Sequence, residues 1–161
     1  MPAGKHEVLE MLRELAQLTL LDEENPQSFR VRAYESAEHA IAAQTLDLSS
    51  LSVKELQHIE GIGKSTAEKI RELLDTGRVE RLEVLRKQHP PSVVGLLRIQ
   101  GLGPKMLGRL RKELGVQSLD DLRRVLAERR LRDLKGFGEK SEEKLRQSLS
   151  RLEAQGALDR T

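Results

Sequence analysis

The sequence predicts an all-α protein of two small helical subdomains, and three observations carry that prediction. Its apolar residues, 37% of 161, are mostly Leu, Ile, Val and Ala, while aromatics are only 2%. Leu, Arg, Glu and Lys fill the intervals, a composition that favours helix over strand. The pattern apolar-x-Gly-apolar-Gly occurs three times, at Ile59-Glu60-Gly61-Ile62-Gly63, Ile99-Gln100-Gly101-Leu102-Gly103 and Leu134-Lys135-Gly136-Phe137-Gly138, and each copy opens a segment with helical periodicity.

Taken in order, Val8, Leu9, Leu12, Leu15, Ala16 and Leu20 recur at helical spacing and define a first amphipathic helix ending near Leu21-Asp22. Asn25-Pro26 restarts a helix, with Asn as cap and Pro in the first turn. That helix is expected to turn Phe29, Ala33, Ala37, Ala40 and Ile41 inward and Arg30, Arg32 and Glu35 outward. Ser52-Val53-Lys54-Glu55 matches a capping box, so a short helix leads into the first glycine turn. The next helix, Lys64 to Leu74, stops at Gly77, and another runs from about Val79 to Lys87.

Two prolines in Gln88-His89-Pro90-Pro91-Ser92 break the pattern and mark the expected boundary. Residues 1–88 form one domain on this reading, residues 92–155 a second, and residues 156–161 a frayed tail. The second domain is expected to hold a helix around Val93 to Arg98, the glycine turn and helix Pro104 to Leu114, a Ser118-capped helix from Leu119 to about Arg129, and the third turn with helix Lys140 to Leu152.

Two glycines around one apolar residue let the backbone turn tightly and approach another backbone closely. The N–H groups of the helix that follows point outward and attract phosphate. Glycine turn plus helix start is the pattern of the helix-hairpin-helix motif, which resembles a device for holding nucleic-acid backbone without reading bases. The first copy offers Lys64, Ser65 and Thr66 at its helix start, and the second offers Pro104 and Lys105. In the third, Glu139 stands where a phosphate would dock, to repel it or to occupy the amides by capping. The first two turns are therefore expected to hold DNA, through Gly61, Ile62, Gly63, Lys64, Ser65 and Thr66 and through Gly101, Leu102, Gly103 and Lys105. The third is expected to be architectural, packed beside the second as a pseudo-twofold pair.

Composition narrows the alternatives. Net charge is only +2 although 34% of residues are charged, so nucleic-acid affinity must come from placed groups. With no cysteine there is no disulfide, thiolate nucleophile or zinc ribbon. Four histidines, His6, His39, His58 and His89, show no metal-ligand spacing, and no apolar run approaches membrane length, so a cytoplasmic protein without a membrane partner is expected.

The block Asn25-Pro26-Gln27-Ser28-Phe29-Arg30-Val31-Arg32-Ala33-Tyr34, the run Gly61 to Ile70 and Thr76-Gly77-Arg78 resemble the amino-terminal lyase domain of family X DNA polymerases. Ile99 to Leu114 is similar to the second helix-hairpin-helix of those enzymes, and Leu134 to Lys140 to a third element of bacterial members. The resemblance covers about residues 7 to 150. In the family a palm with metal-binding aspartates follows, which these 161 residues lack, so no polymerisation is expected of them. The resemblance implies a deoxyribose-phosphate lyase whose Schiff-base lysine is Lys69, with Tyr34 beside it and Arg30 and Arg81 at phosphate-binding positions. Such an amine must be deprotonated to attack, which requires a pKa lowered from about 10.4. Ser65 and Gln57 stand where the family lyase carries lysines.

Counting eight residues from the first motif glycine lands on Lys69, Arg109 and Lys144 in turn, so a cation recurs at this offset where no lyase chemistry is expected. The helix-hairpin-helix resemblance also implies a monovalent cation, Na⁺ or K⁺, on the backbone carbonyls of Gln57, Ile59 and Ile62 and of Leu97, Ile99 and Leu102; no other cofactor is expected. The leading reading is a sequence-independent module that grips duplex DNA at gaps, nicks or ends in DNA repair. The alternatives are a lyase acting through Lys69 and a protein-docking adaptor in a repair assembly. Phe29 and Phe137 are expected to serve packing rather than base stacking.

Overall fold

The computed structural model describes residues 4–155, and among them there are helices, turns and no strand. The tail expected at 156–161 lies outside the described residues. The chain divides between His89 and Pro90 into two compact units.

The first unit is built from α1 (Lys5–Glu23), α2 (Phe29–Ala42), a 3₁₀ turn (Leu48–Ser50), α3 (Val53–Gln57), α4 (Lys64–Thr76) and α5 (Glu80–Gln88). Helix α1 packs against α2 and α5, and α3 packs against α4. Its core is aliphatic: Leu12, Leu15 and Leu18 meet Ile41, Leu56, Ile70 and Leu85, all almost wholly withdrawn from solvent. Ser52 and Glu55 form the reciprocal capping box that the sequence indicates, with Ser52 Oγ accepting from the Glu55 N–H at 3.2 Å and Glu55 Oε1 accepting from the Ser52 N–H at 3.0 Å. Those two donors would otherwise be orphaned at the helix start, and satisfying them locally lets a five-residue helix persist.

Two expectations about α2 are corrected. Asn25 does not cap it; its side-chain oxygen accepts from the Gln27 N–H at 3.0 Å in a turn, and Ser28 is the cap, accepting from the Val31 N–H at 3.3 Å. A short side chain that bonds its own neighbouring backbone can build a turn as readily as a cap, and here the turn precedes the helix by three residues. Phe29 does not face inward. It is the first residue of the helix and stands 86% exposed, while Val31, Tyr34, Ala37 and Ile41 carry the buried face.

The second unit comprises α6 (Pro91–Val94), a 3₁₀ turn (Gly95–Arg98), α7 (Pro104–Leu114), α8 (Leu119–Ala127), a 3₁₀ turn (Arg130–Asp133) and α9 (Glu139–Ala154). The single helix expected over Val93 to Arg98 is instead one turn of α-helix, opened by Pro91, followed by a 3₁₀ turn. Ser118 caps α8 by accepting from the Asp121 N–H at 3.2 Å. Leu96, Ile99, Leu107, Leu110, Leu122 and Leu131 form its core.

The glycine patterns make three turns of one geometry. The N–H of the central apolar residue donates to the carbonyl three residues back, Ile62 to Ile59, Leu102 to Ile99 and Phe137 to Leu134, each at 3.1 Å. The first glycine of each takes a positive φ, +100° at Gly61 and +91° at Gly101 and Gly136. Positive φ at the third residue is the signature of a type II turn, which side chains with a Cβ resist. The second glycine is different: Gly63 and Gly103 are extended, with φ of −90° and −83°, and serve as N-caps of α4 and α7 without any side-chain capping bond.

Candidate nucleic-acid interface

In the first unit the glycine turn sits on one wall of an open groove of about 1090 Å³. Gly61 fits closely against α2, where a Cβ would lie 3.4 Å from both the Ala40 Cβ and the Ser36 carbonyl oxygen. This close approach sets α2 beside the start of α4. The groove is thus lined from α2 by Phe29, Arg30, Arg32 and Tyr34, from the turn by Gly61 and Gly63, from α4 by Lys64, Ser65, Thr66 and Lys69, and from α5 by Arg81. With Thr19 of α1, residues from four separate stretches of sequence meet there.

Each group has a defined setting. The half-buried Lys69 donates from Nζ to Ser65 Oγ at 2.8 Å. Burial lowers its pKa from the ordinary 10.5; Glu68 opposes the shift, Arg81 adds to it, and Glu72 and Arg30 act more weakly in opposite directions. Tyr34 is buried, and its phenol is pushed up from 10.0 by burial, against the pull of Arg81 and Arg30. The two arginines lie near carboxylates at the end of α1, Arg30 at 3.8 Å from Glu23 and Arg81 at 3.6 Å from Asp22, while the buried His89 shares Asp22 at 3.1 Å. Separations that long between exposed side chains are weak restraints, so an incoming anion can compete for both guanidinium groups.

At the mouth of the groove, Gly63, Lys64 and Ser65 are exposed, and α4 begins without a carboxylate in its first turn. The positive end of the helix therefore faces solvent with an ammonium beside it. In the second unit Gly101, Gly103 and Lys105 are likewise exposed and the first turn of α7 is free of acidic residues; Pro104 occupies the first helical position, where its missing N–H costs nothing. In both turns the apolar centre, Ile62 or Leu102, is buried and anchors the loop.

The third turn differs. The Glu139 carboxylate is engaged elsewhere than on the helix amides: it accepts from Arg132 Nη1 at 3.4 Å. Arg109 of α7 donates to the Lys135 carbonyl at 2.7 Å, and its guanidinium lies 5.0 Å from the centre of the Phe137 ring. The cation at the lysine offset of the second copy is thus spent on holding the third turn.

Sequence reasoning missed one buried group in this region. Glu142, six residues after Gly136, is only 1% exposed and accepts from Arg132 Nε at 3.1 Å, with Arg146 Nη2 at 3.5 Å. Its counterparts in the other copies, Ala67 and Leu107, are fully buried apolar residues. Setting the three copies in register would have shown a glutamate at an apolar position with an arginine four residues along the same helix face.

Among the described residues no cluster of His, Cys, Asp or Glu could hold a metal. The carbonyls of Ile59 and Ile99 each accept one turn N–H, and a carbonyl oxygen has a second lone pair. A set of main-chain oxygens without carboxylates suits a hard monovalent cation better than a transition metal.

Comparison with known proteins agrees with this division. A helix-hairpin-helix domain family matches residues 3–79, and a SAM-like helix-hairpin-helix tandem family matches residues 94–151. The DNA polymerase/3′-5′ exonuclease PolX of Bacillus subtilis (strain 168) is 36% identical over 145 residues, which is 90% of this chain and 25% of that protein. This chain therefore spans about a quarter of that relative's length. No helix of the described residues is long and apolar enough to cross a membrane.

Proposed function

From the premise that the chain belongs to the helix-hairpin-helix proteins and resembles the lyase-like and helix-hairpin-helix region of family X DNA polymerases, we propose that it binds DNA through the phosphate backbone in DNA repair. The observation that carries the reading is the pair of exposed type II glycine turns, each launching a helix from a glycine N-cap and with no carboxylate in its first turn. Main-chain N–H groups of such a helix start are aimed outward, and Lys64 and Lys105 add a charge to each. Backbone contacts of this kind position DNA and carry no base sequence. The preferred DNA is gapped, nicked or ended duplex, because the groove beside the first turn offers Arg30 and Arg81 to a terminal phosphate. A Na⁺ or K⁺ ion on the carbonyls of Gln57, Ile59 and Ile62, and another on those of Leu97, Ile99 and Leu102, would supply a positive charge towards a phosphate oxygen. The work is done in the cytoplasm, a compartment that suits a cysteine-free chain.

Titration of a labelled duplex across salt concentrations tests this. Two turns neutralising one phosphate each give a log–log slope of about −2, and Lys64→Ala or Lys105→Ala each reduce it by about 1. A binding curve unmoved by salt, or weakened equally by loss of an unrelated surface lysine, refutes it. Failure to bind any DNA structure at low salt would favour the adaptor reading instead.

One observation favours a second activity in the same groove: the Lys69 amine, with its lowered pKa, shares the groove with Tyr34, Arg30 and Arg81. An uncharged Nζ can attack the C1′ aldehyde of a ring-opened abasic sugar and expel water to form the imine, which acidifies the C2′–H; loss of that proton to solvent forms the C2′–C3′ double bond as the C3′–O bond breaks and the 3′ phosphate leaves. Borohydride trapping on an incised abasic oligonucleotide decides it; an adduct that persists in Lys69→Ala ends the idea.

A further inference from the structure

Lys69 has beside it a hydroxyl that the other two copies of the motif lack. Four residues after the first motif glycine stands Ser65 in the first copy, Lys105 in the second and Lys140 in the third; four further on stand Lys69, Arg109 and Lys144. Positions four apart share one face of a helix, so the second and third copies set two cations side by side, and the first alone sets a hydroxyl beside its amine. The contacts follow that difference. Lys69 Nζ donates to Ser65 Oγ at 2.8 Å, whereas Arg109 donates to Glu113 Oε2 at 2.9 Å and to the Lys135 carbonyl at 2.7 Å. Long helical side chains lean toward the N-terminus, and this contact brings the Lys69 amine to the exposed first turn of α4, in the groove that both residues line. The charged groups around the amine are Glu68 and Glu72 on its own helix, Arg30 on α2 and Arg81 on α5, with the Tyr34 phenol in the same groove. They act on it through space, so its hydrogen bond among the described residues is with a neutral group.

We propose that Ser65 is a positioning residue for imine formation at Lys69: its hydroxyl holds one N–H of the amine and keeps the Nζ lone pair turned to the open groove. The inference rests on the lyase reading above and deepens it. Neutral Nζ carries two hydrogens and one lone pair. The lone pair forms the N–C1′ bond as the carbonyl π electrons move to oxygen; nitrogen then loses one proton to solvent and oxygen gains one, giving the carbinolamine. Its hydroxyl takes a solvent proton and leaves as water while the nitrogen lone pair closes the C=N bond. The iminium nitrogen keeps one hydrogen, so the N–H that Ser65 holds survives every step. Nitrogen passes from neutral to positive along this path, and a hydrogen bond from a charged donor is shorter and stronger than one from a neutral donor. The contact therefore strengthens toward the iminium, and interactions of that kind are the ones that speed a chemical step. A carboxylate at position 65 would accept the same hydrogen but hold the amine as ammonium, which has no lone pair to offer. A hydroxyl orients the amine without adding that charge.

The test measures the rate of cyanoborohydride trapping on an incised abasic oligonucleotide across pH, at saturating protein so that binding drops out. Wild type is compared with Ser65→Ala, Ser65→Thr and Ser65→Asp, and Lys69→Ala supplies the background. Loss of one hydrogen bond in Ser65→Ala is expected to lower the plateau reached at high pH by about 2- to 13-fold, without raising the pH midpoint. Ser65→Thr keeps the hydroxyl and restores the plateau. Ser65→Asp moves the midpoint upward. The same midpoints are read without DNA by competitive acetylation of the Lys69 amine with acetic anhydride, followed by mass spectrometry of its peptide; Ser65→Asp again moves upward and Ser65→Ala does not. Because Ser65 is exposed, the helical circular-dichroism spectrum of the three variants matches wild type. An unchanged plateau in Ser65→Ala, or one that Ser65→Thr fails to restore, overturns the inference and leaves the lyase reading standing. So does Ser65→Ala trapping faster than wild type, the mark of a hydroxyl that merely stabilises the ammonium. Absence of a wild-type adduct at every pH, or an adduct that persists in Lys69→Ala, overturns the lyase reading and this inference with it.

Discussion

The two glycines of the first turn can be separated by one pair of substitutions, Gly61→Ala and Gly63→Ala. Gly61 has φ +100°, and a Cβ there would press to 3.4 Å on the Ala40 Cβ and the Ser36 carbonyl oxygen of α2. A non-glycine residue held at positive φ costs about 1–3 kcal/mol, and little relief is open because one of the neighbours is backbone. In a unit of this size each kcal/mol moves the midpoint by about 4–8 °C, so the first unit of Gly61→Ala should melt about 4–24 °C lower. Gly63 has φ −90° and no atom within 4 Å of the Cβ position. Alanine there loses some N-capping preference, roughly 0.5–1 kcal/mol, and gains a similar amount by restricting the unfolded chain. The stability of Gly63→Ala should therefore stay within a few degrees of wild type. Its DNA affinity should not, because the open space over Gly63 is where a phosphodiester has to approach the α4 amides. Loss of one hydrogen bond to a charged group corresponds to about 10- to 150-fold in affinity. Differential scanning calorimetry and duplex titration on the same preparations read both quantities. Wild-type affinity in Gly63→Ala would refute the placement of DNA on this turn, and an unshifted melt in Gly61→Ala would refute the account of why the turn requires glycine.

Four further outcomes follow from other contacts. Lys69 has a pKa below 10.5 in the folded protein, so the unfolded chain binds the extra proton as pH approaches that value; stability should rise with pH in the window just below 10.5, and Lys69→Met should flatten the rise in pH-dependent urea titrations. If the lyase reading holds, the pH midpoint of borohydride trapping lies below that of free lysine, and Arg81→Ala moves it upward, because a cation that favours the neutral amine has been removed. Glu142→Ala leaves Arg132 without its main partner; since both arginines are partly exposed, the cost is discounted to about 1–3 kcal/mol, seen in the melting of the second unit. Arg109→Ala removes the bond to the Lys135 carbonyl and the contact with Phe137, and should loosen the third turn, raising its amide hydrogen exchange, with little change in DNA affinity.

The elements that could be read from the sequence are those governed by local chemistry. The type II turns at Gly61, Gly101 and Gly136 need a residue without a Cβ at one position, and the chain has glycine at each. The capping box at Ser52 and the cap at Ser118 follow from side chains that bond amides three residues away. The α2 cap shows where local signals compete: Asn25 and Ser28 are both good caps, and which one starts the helix depends on where the chain leaves α1. With Ser28 as the cap, Phe29 is the first residue of α2, where it stands exposed. Apolar periodicity alone turned it inward, since a phenylalanine is more often buried than displayed.

Three-fold recurrence, all-helical character and the glycine turns were determined by the sequence alone, because backbone conformation at a glycine and helix periodicity depend on residues only a few positions apart. Tertiary structure decided what those elements bring together. Tyr34, Lys69 and Arg81 are 35 and 12 residues apart along the chain, and they line one groove only because Gly61 lets α4 lie against the α2 backbone. Glu142 became buried, with the exposed Arg132 as its partner, only when α9 packed against the preceding 3₁₀ turn. Exposure and pairing depend on packing between segments distant in sequence, and no short-range pattern encodes them.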